Sequence, residues 1–254
     1  MLRFKKMLQI LCLGIIGIAV SMVSFNSSVS ASELESEDSL REVYENALNN
    51  GELGSDVSFD LWKEIYEESK QLEASFLEGT SSEIPSIAAR ASYSMKAGDI
   101  FLTNATVSSG IVGHAGIAIN DTYILHIPGP NKTTQLLTLS DWKSKYAGSN
   151  GTTWVHRVNS SDLASKAATW ALKNYYNSSG STGSQNIKPS YKITTALSST
   201  DPTYCSKIVY QAYYNADKDV SGTWVYNRSG IVSPYDFRSN VFYQTPPEVA
   251  IFTK

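Results

Sequence analysis

The chain has 254 residues, 24 acidic against 21 basic side chains for a net charge of −3, 42% hydrophobic residues and two cysteines. That length supports one good-sized core, or a core with a small appendage, and two cysteines exclude a disulfide-stapled scaffold. Net acidity without a stripe of basic and aromatic residues argues against a nucleic-acid partner.

Arg3, Lys5 and Lys6 open the chain, an apolar run follows from Met7 to about Phe25, and Val29-Ser30-Ala31 supplies small residues. This is the pattern of an export signal spanning residues 1–31, with cleavage after Ala31. The apolar run exceeds the usual signal length, so an uncleaved membrane anchor is the alternative, weakened by Gln9, Ser21 and Ser24. Either way a secreted or envelope-associated protein is expected. Cys12 lies inside the signal, which leaves Cys205 as the only thiol of the exported chain.

Residues 32–84 hold fifteen acids against three bases, and the chain from residue 85 onward holds nine acids against fifteen bases. The −12 segment reads as two helices: one carrying Leu34, Leu40, Val43, Tyr44 and Ala47 and stopping at Asn49-Asn50-Gly51, the other running from about Phe59 to Leu77. Gly79-Thr80-Ser81-Ser82 reads as a linker. The segment is a helical extension or a pro-segment, and its charge would draw it into intramolecular contact with the +6 remainder. Residues 85–254 form the expected catalytic domain.

From Met95 the pattern turns to strands. Asp99–Thr103, His114–Ile119, Thr122–Ile127 and Trp154–Val158 read as strands, with Asn120-Asp121 turning a hairpin. A helix is expected from Ser161-Asp162, carrying Leu163, Ala167, Trp170 and Ala171 inward, and residues 177–186 form a Ser/Gly/Asn loop. A further helix is expected to open at Asp201-Pro202 and to run to about Asn215. Cys205 then falls near its first turn, where unpaired N–H groups and the helix dipole favour a thiolate, while Ile208, Val209 and Ala212 share its face.

A cysteine nucleophile needs a base, and the base needs an orienting partner. The three histidines are His114, His126 and His156. His114 lies among small residues in Gly113-His114-Ala115-Gly116, which leave room for another element to approach closely. His126 follows on the returning strand. A strict two-residue turn would put these two imidazoles on opposite sheet faces; an odd extra residue would put them on one. His156, in Trp154-Val155-His156-Arg157-Val158, has no supporting pattern and reads as structural. Three histidines without an acidic cluster at ligand spacing do not suggest a metal, and no cofactor is expected.

The order of a Gly-Asp-Ile strand, a Gly-His-Ala-Gly-Ile strand, a polar residue twelve positions on, and Tyr204-Cys205-Ser206-Lys207 opening a helix resembles the circularly permuted papain-like hydrolases of the NlpC superfamily. Within these it is most similar to the YiiX/YebB-like amidases and more distantly to the lecithin:retinol acyltransferase-like enzymes. The resemblance covers about Lys96 to Gln244, including Val232-Ser233-Pro234-Tyr235-Asp236, and leaves out residues 32–84. It implies an α+β fold, an antiparallel sheet or partial barrel packed against helices. It further implies Cys205 as nucleophile, His114 as general base and His126 as the residue that orients it. Many YiiX-like sequences have glutamate at that last place, and the acyltransferase-like branch has histidine. Tyr204 either helps shape an oxyanion site beside the Cys205 N–H or packs in the core. The implied activity is amide hydrolysis in cell-wall peptide material by a Cys-His-His acyl-enzyme. The alternatives are acyl transfer from a lipid ester or amide, to which His126 and fifteen tyrosines point, and a non-catalytic wall-binding module.

Overall fold

The computed structural model describes residues 36–82, 93–108 and 111–253. The signal segment and the boundary expected at residue 84 lie outside them. Among the described residues no helix is long and apolar enough to cross a membrane.

The architecture is α+β. Two helices come first, α1 (Glu37–Asn49) and α2 (Phe59–Ser82), followed by strands β1 (Ile100–Ser108), β2 (Ile111–Ala118), β3 (Tyr123–His126) and β4 (Gln135–Thr138). Helix α3 (Leu139–Tyr146), strand β5 (Thr153–His156), helices α4 (Ser161–Tyr175) and α5 (Cys205–Lys218) and strand β6 (Glu248–Phe252) complete the order. The six strands form one open sheet in the order β4-β3-β2-β1-β5-β6, every pair antiparallel. The sheet does not close into a barrel.

Both sheet faces are covered, so the strands read as near-continuous apolar runs rather than as alternation. Ile100, Leu102, Ala115, Ile117 and Trp154 face the core shared with α4 and α5. Phe101, Ala118, Ile124 and Val155 face the other way, onto Trp142 and Tyr146 of α3. Thr138 and Asp141 start α3 with a reciprocal capping box. Neither β4 nor α3 is among the elements expected from the sequence, although Thr138-Leu139-Ser140-Asp141 carries that capping signature.

Helix α2 continues to Ser82, through the stretch expected as a linker. Its later turns are anchored: the Phe76 ring meets Tyr235 at 5.2 Å and Trp154 at 6.2 Å, and the Arg238 guanidinium lies 3.8 Å over it. Earlier turns bury Trp62 against Tyr44, Phe59 and Tyr66. Leu53 bridges to Ile193, and Asp56 accepts from the Thr195 N–H at 2.7 Å. Residues 36–254 form one compact unit.

Candidate active site

The site begins at the β2–β3 turn. Strand pairs Ile117–Leu125 and Ala118–Ile124 are followed by an Ile119 N–H to Tyr123 carbonyl bond of 2.9 Å, so the connection is Asn120–Thr122. Asn120 Oδ1 accepts from the N–H groups of Thr122 and Tyr123 at 2.9 and 2.8 Å, which holds this turn in shape. The connection is odd in length, so residues of equal parity face the same way. The two-residue turn is therefore corrected, and His114 and His126 meet on the α3 face, with His114 Nε2 2.9 Å from His126 Nδ1.

That contact needs one donor and one acceptor. For His114 to offer Nδ1 as a base, its Nε2–H donates to His126 Nδ1, which leaves the His126 hydrogen on Nε2. His126 Nε2 is buried with no hydrogen-bond partner. The His126 ring instead stands edge-on to Trp142 and Tyr146, at 5.7 Å from each. Trp142 also stacks on His114 at 5.7 Å, and the Tyr146 ring lies 4.9 Å from it. This approach depends on Gly116, where a Cβ would come within 2.7 Å of the Trp142 ring.

Ala118 exchanges hydrogen bonds with the β1 end through Gly98 and Asp99. Strand alternation then turns the Ala115 N–H away from β1, toward β3, beyond the last β2–β3 pair at Ile117. The Cys205 sulfur takes this free edge donor as its hydrogen-bond partner. Cys205 is the first residue of α5, with Tyr204 as an extended N-cap that makes no side-chain cap bond. The cysteine thus sits where two strands part, against the residue next to His114.

The start expected at Asp201-Pro202 is corrected to Cys205. Asp201 accepts from the Ser190 N–H and hydroxyl at 2.9 and 2.7 Å, and Thr203 exchanges backbone bonds with Ser190 and Lys192. Pairing with that segment keeps residues 201–203 out of the helix. The buried Lys207 donates to the Pro202 carbonyl at 2.8 Å, which ties the first turn of α5 back onto this segment.

Burial dominates the electrostatics. Cys205 is 6% exposed, His114 3% and His126 0%. Desolvation pushes the thiol above its ordinary value, although N–H groups of Ala115, Ser206 and Cys205 pull it down. The thiolate favoured by the helix start alone is therefore outweighed at rest. Desolvation, with a smaller push from Lys145, lowers His114 to about 3. Desolvation, then the neighbouring His114 and Lys145, holds His126 well below the usual range. The resting site is a neutral thiol beside two neutral imidazoles.

The remaining residues lie elsewhere. The Tyr204 ring is buried and its hydroxyl accepts the Val232 N–H at 3.1 Å. His156 lies on the opposite sheet face, paired with Ile100, and its Nδ1 donates to the Pro246 carbonyl at 3.0 Å. Tyr146 and Trp142, which build the histidine cage, carry no motif in the sequence. Among the described residues no group of three His, Cys, Asp or Glu side chains converges as a metal would require.

A family model described as lipoprotein N-acylation protein LnsA-like matches residues 69–245. An uncharacterized 30.3 kDa protein of Bacillus thuringiensis is 46% identical over 143 residues, covering 56% of this chain and 52% of that protein. The chain thus matches about half the length of this curated relative. No solved structure matches the chain.

Proposed function

Because the chain belongs to the LnsA-like lipoprotein N-acylation family, within the papain-like group of acyltransferases and hydrolases, we propose that it performs acyl transfer through a Cys205 thioester. The acyl donor in this reading is a lipid ester at the envelope, and the acceptor is the terminal amine of a lipoprotein, or water. One observation carries it: the 2.9 Å His114–His126 pair sits beside the strand position whose N–H holds the Cys205 sulfur.

His114 takes the thiol proton as sulfur attacks the ester carbonyl, and the displaced electron pair moves to oxygen. The adduct collapses, the ester C–O bond breaks, and the His114 imidazolium protonates the leaving alkoxide. An amine or water then gives its proton to His114 and attacks the thioester, and the thiolate leaves and is reprotonated. His126, neutral, fixes the ring and tautomer of His114 without supplying a charge. The aromatic cage around the histidines keeps them desolvated.

A second reading, hydrolysis of an amide in cell-wall peptide, rests on the resemblance of the Gly113–Ile117 and Tyr204–Lys207 motifs to those of YiiX-like amidases and uses the same intermediate. Exported to the envelope, the chain would meet either substrate. The test incubates the protein with phosphatidylglycerol vesicles and a synthetic peptide carrying a free N-terminal amine, and separately with peptidoglycan. Lysolipid and N-acyl peptide, lost in Cys205→Ala, are the expected products. Released wall peptides without lysolipid would establish the second reading, and no product from any substrate would overturn both.

A further inference from the structure

The buried tyrosine beside the histidine pair has a backbone and a side chain with different work. The Tyr146 carbonyl accepts from the hydroxyls of Thr103 on β1 and Thr153 on β5, each at 2.8 Å. Two adjacent strands thereby fix the end of α3 under the sheet. The ring is held in turn by Trp142 at 4.7 Å and His114 at 4.9 Å. The residue is 2% exposed, its hydroxyl bonds to no described residue, and that oxygen is not among the buried atoms left unsatisfied, so it is not sealed in the core. A rigid phenol beside the histidines whose hydroxyl no protein group takes can offer that donor to a bound substrate, which phenylalanine could not do.

The surroundings say where that donor is useful. A Cys205 thiolate would raise the phenols of both Tyr146 and Tyr204. The Tyr204 hydroxyl is fixed at Val232, whose N–H it accepts, whereas the Tyr146 ring lies 4.9 Å from His114. Burial holds the Tyr146 phenol far above neutral pH, so it remains a donor throughout the working range. As the first helical residue, Cys205 has a backbone N–H without an intrahelical partner. The reacting carbonyl must lie against the sulfur, within reach of this N–H.

We propose that the Tyr146 hydroxyl, together with the Cys205 N–H, holds the oxyanion of the tetrahedral adduct, which makes Tyr146 a catalytic residue. The inference rests on the acyl-enzyme reading above and adds to it the donor that the sequence does not disclose. When sulfur attacks, the carbonyl π pair moves to oxygen, and Tyr146 donates a hydrogen bond to that oxygen while keeping its own proton. Collapse restores the carbonyl, and the hydroxyl is free for the second, deacylating adduct. Fixed donors of this kind need no reorganisation as the charge develops.

The test is Tyr146→Phe in the full chain, which removes one oxygen and keeps the ring. Turnover of a p-nitrophenyl ester is followed beside alkylation of Cys205 by iodoacetamide, a displacement that forms no oxyanion. Expected is a fall in kcat of about 10²–10³, with KM within a few-fold and alkylation unchanged. A kcat within threefold of the unsubstituted chain overturns the proposal. So does a parallel loss of alkylation, which would put the hydroxyl on the thiol instead. If Tyr146→Phe lowers the melting temperature, 3,5-difluorotyrosine at 146 decides: kept or raised kcat supports the oxyanion role, and a loss like that of an inactive chain overturns it. An unsubstituted chain that iodoacetamide does not alkylate at Cys205 overturns the acyl-enzyme reading itself, and this proposal with it.

Discussion

The imidazoles of His114 and His126 share a cage with Trp142 and Tyr146, and the absence of solvation keeps both neutral. An enzyme using His114 as base should therefore show no acid limb near pH 6.5, since His114 stays deprotonated down to about 3. The thiol, raised by burial, should be alkylated ever faster as pH climbs beyond the ordinary cysteine range. A plateau of alkylation between pH 5 and 8 would reveal a thiolate–imidazolium pair and contradict this. His114→Ala should lower turnover by about 10²–10⁴-fold, with a smaller loss for His126→Ala, whose partner keeps its own base nitrogen. Steady-state assays with an activated ester read both. Cys205 and His114 stand out in the sequence because a lone thiol near a helix start and a histidine among small residues are rare patterns. The cage is hidden: Trp142 and Tyr146 reach the histidines through a helix the sequence reading passes over, by long-range packing that no local spacing encodes.

Among the elements, the β2–β3 hairpin and the start of α5 set the geometry. Gly116 lets α3 close on the sheet. Gly116→Ala would drive a methyl into Trp142 and Ile124, costing about 1–3 kcal/mol in chemical denaturation and loosening the stack on His114. Unchanged stability would show that α3 moves freely. At the start of β1, buried Asp99 accepts from Arg157 Nε and Nη2 at 2.6 and 2.7 Å, and from the Tyr93 hydroxyl at 2.6 Å. Arg157→Ala strands that carboxylate and should destabilise the chain by about 3 kcal/mol, against no measurable change if the pair were a surface contact. The Gly-Asp-Ile strand was legible as a strand, but not as half of an ion pair whose other half lies far along the chain. The early helix start was misread for a similar reason: Asp201 has the character of a cap, and the Ser190 segment, distant in sequence, takes its carboxylate.

At the scale of the whole molecule, α1 and α2 bear an acidic outer surface and an aromatic inner one. A chain beginning at residue 85 would bare Trp154 and Tyr235 where Phe76 now covers them. It should fail to fold to a cooperative thermal transition; a truncated chain with an unchanged melting temperature would instead mark residues 32–84 as a removable pro-segment. The acidic composition made the helices legible but concealed the buried stripe, because Trp62, Tyr66 and Phe76 are spaced among carboxylates. Acid stability follows from the histidines. His114, His126 and His156 have folded values below the unfolded value of 6.5, with His156 at about 4. Below pH 6.5 the unfolded chain binds protons that the folded chain refuses, so stability is full above 6.5 and is lost as pH falls. The slope reaches about 1.4 kcal/mol per pH unit for each imidazole. Asp236, raised from 3.8 to about 6, works in the opposite sense from about pH 6 downward, so three imidazoles against one carboxyl leave a net loss of stability from 6.5 to about 5. Thermal melts across that range should fall steadily; a flat profile would mean that the imidazoles are solvated.

The central claim is a thioester on Cys205, and intact-protein mass spectrometry after mixing with a diacyl phospholipid reads it directly. A mass increase equal to one acyl group in exchange for one hydrogen, removed by neutral hydroxylamine and absent from Cys205→Ala, is the predicted result. No adduct on a folded chain, or an adduct that survives the loss of Cys205, would contradict it.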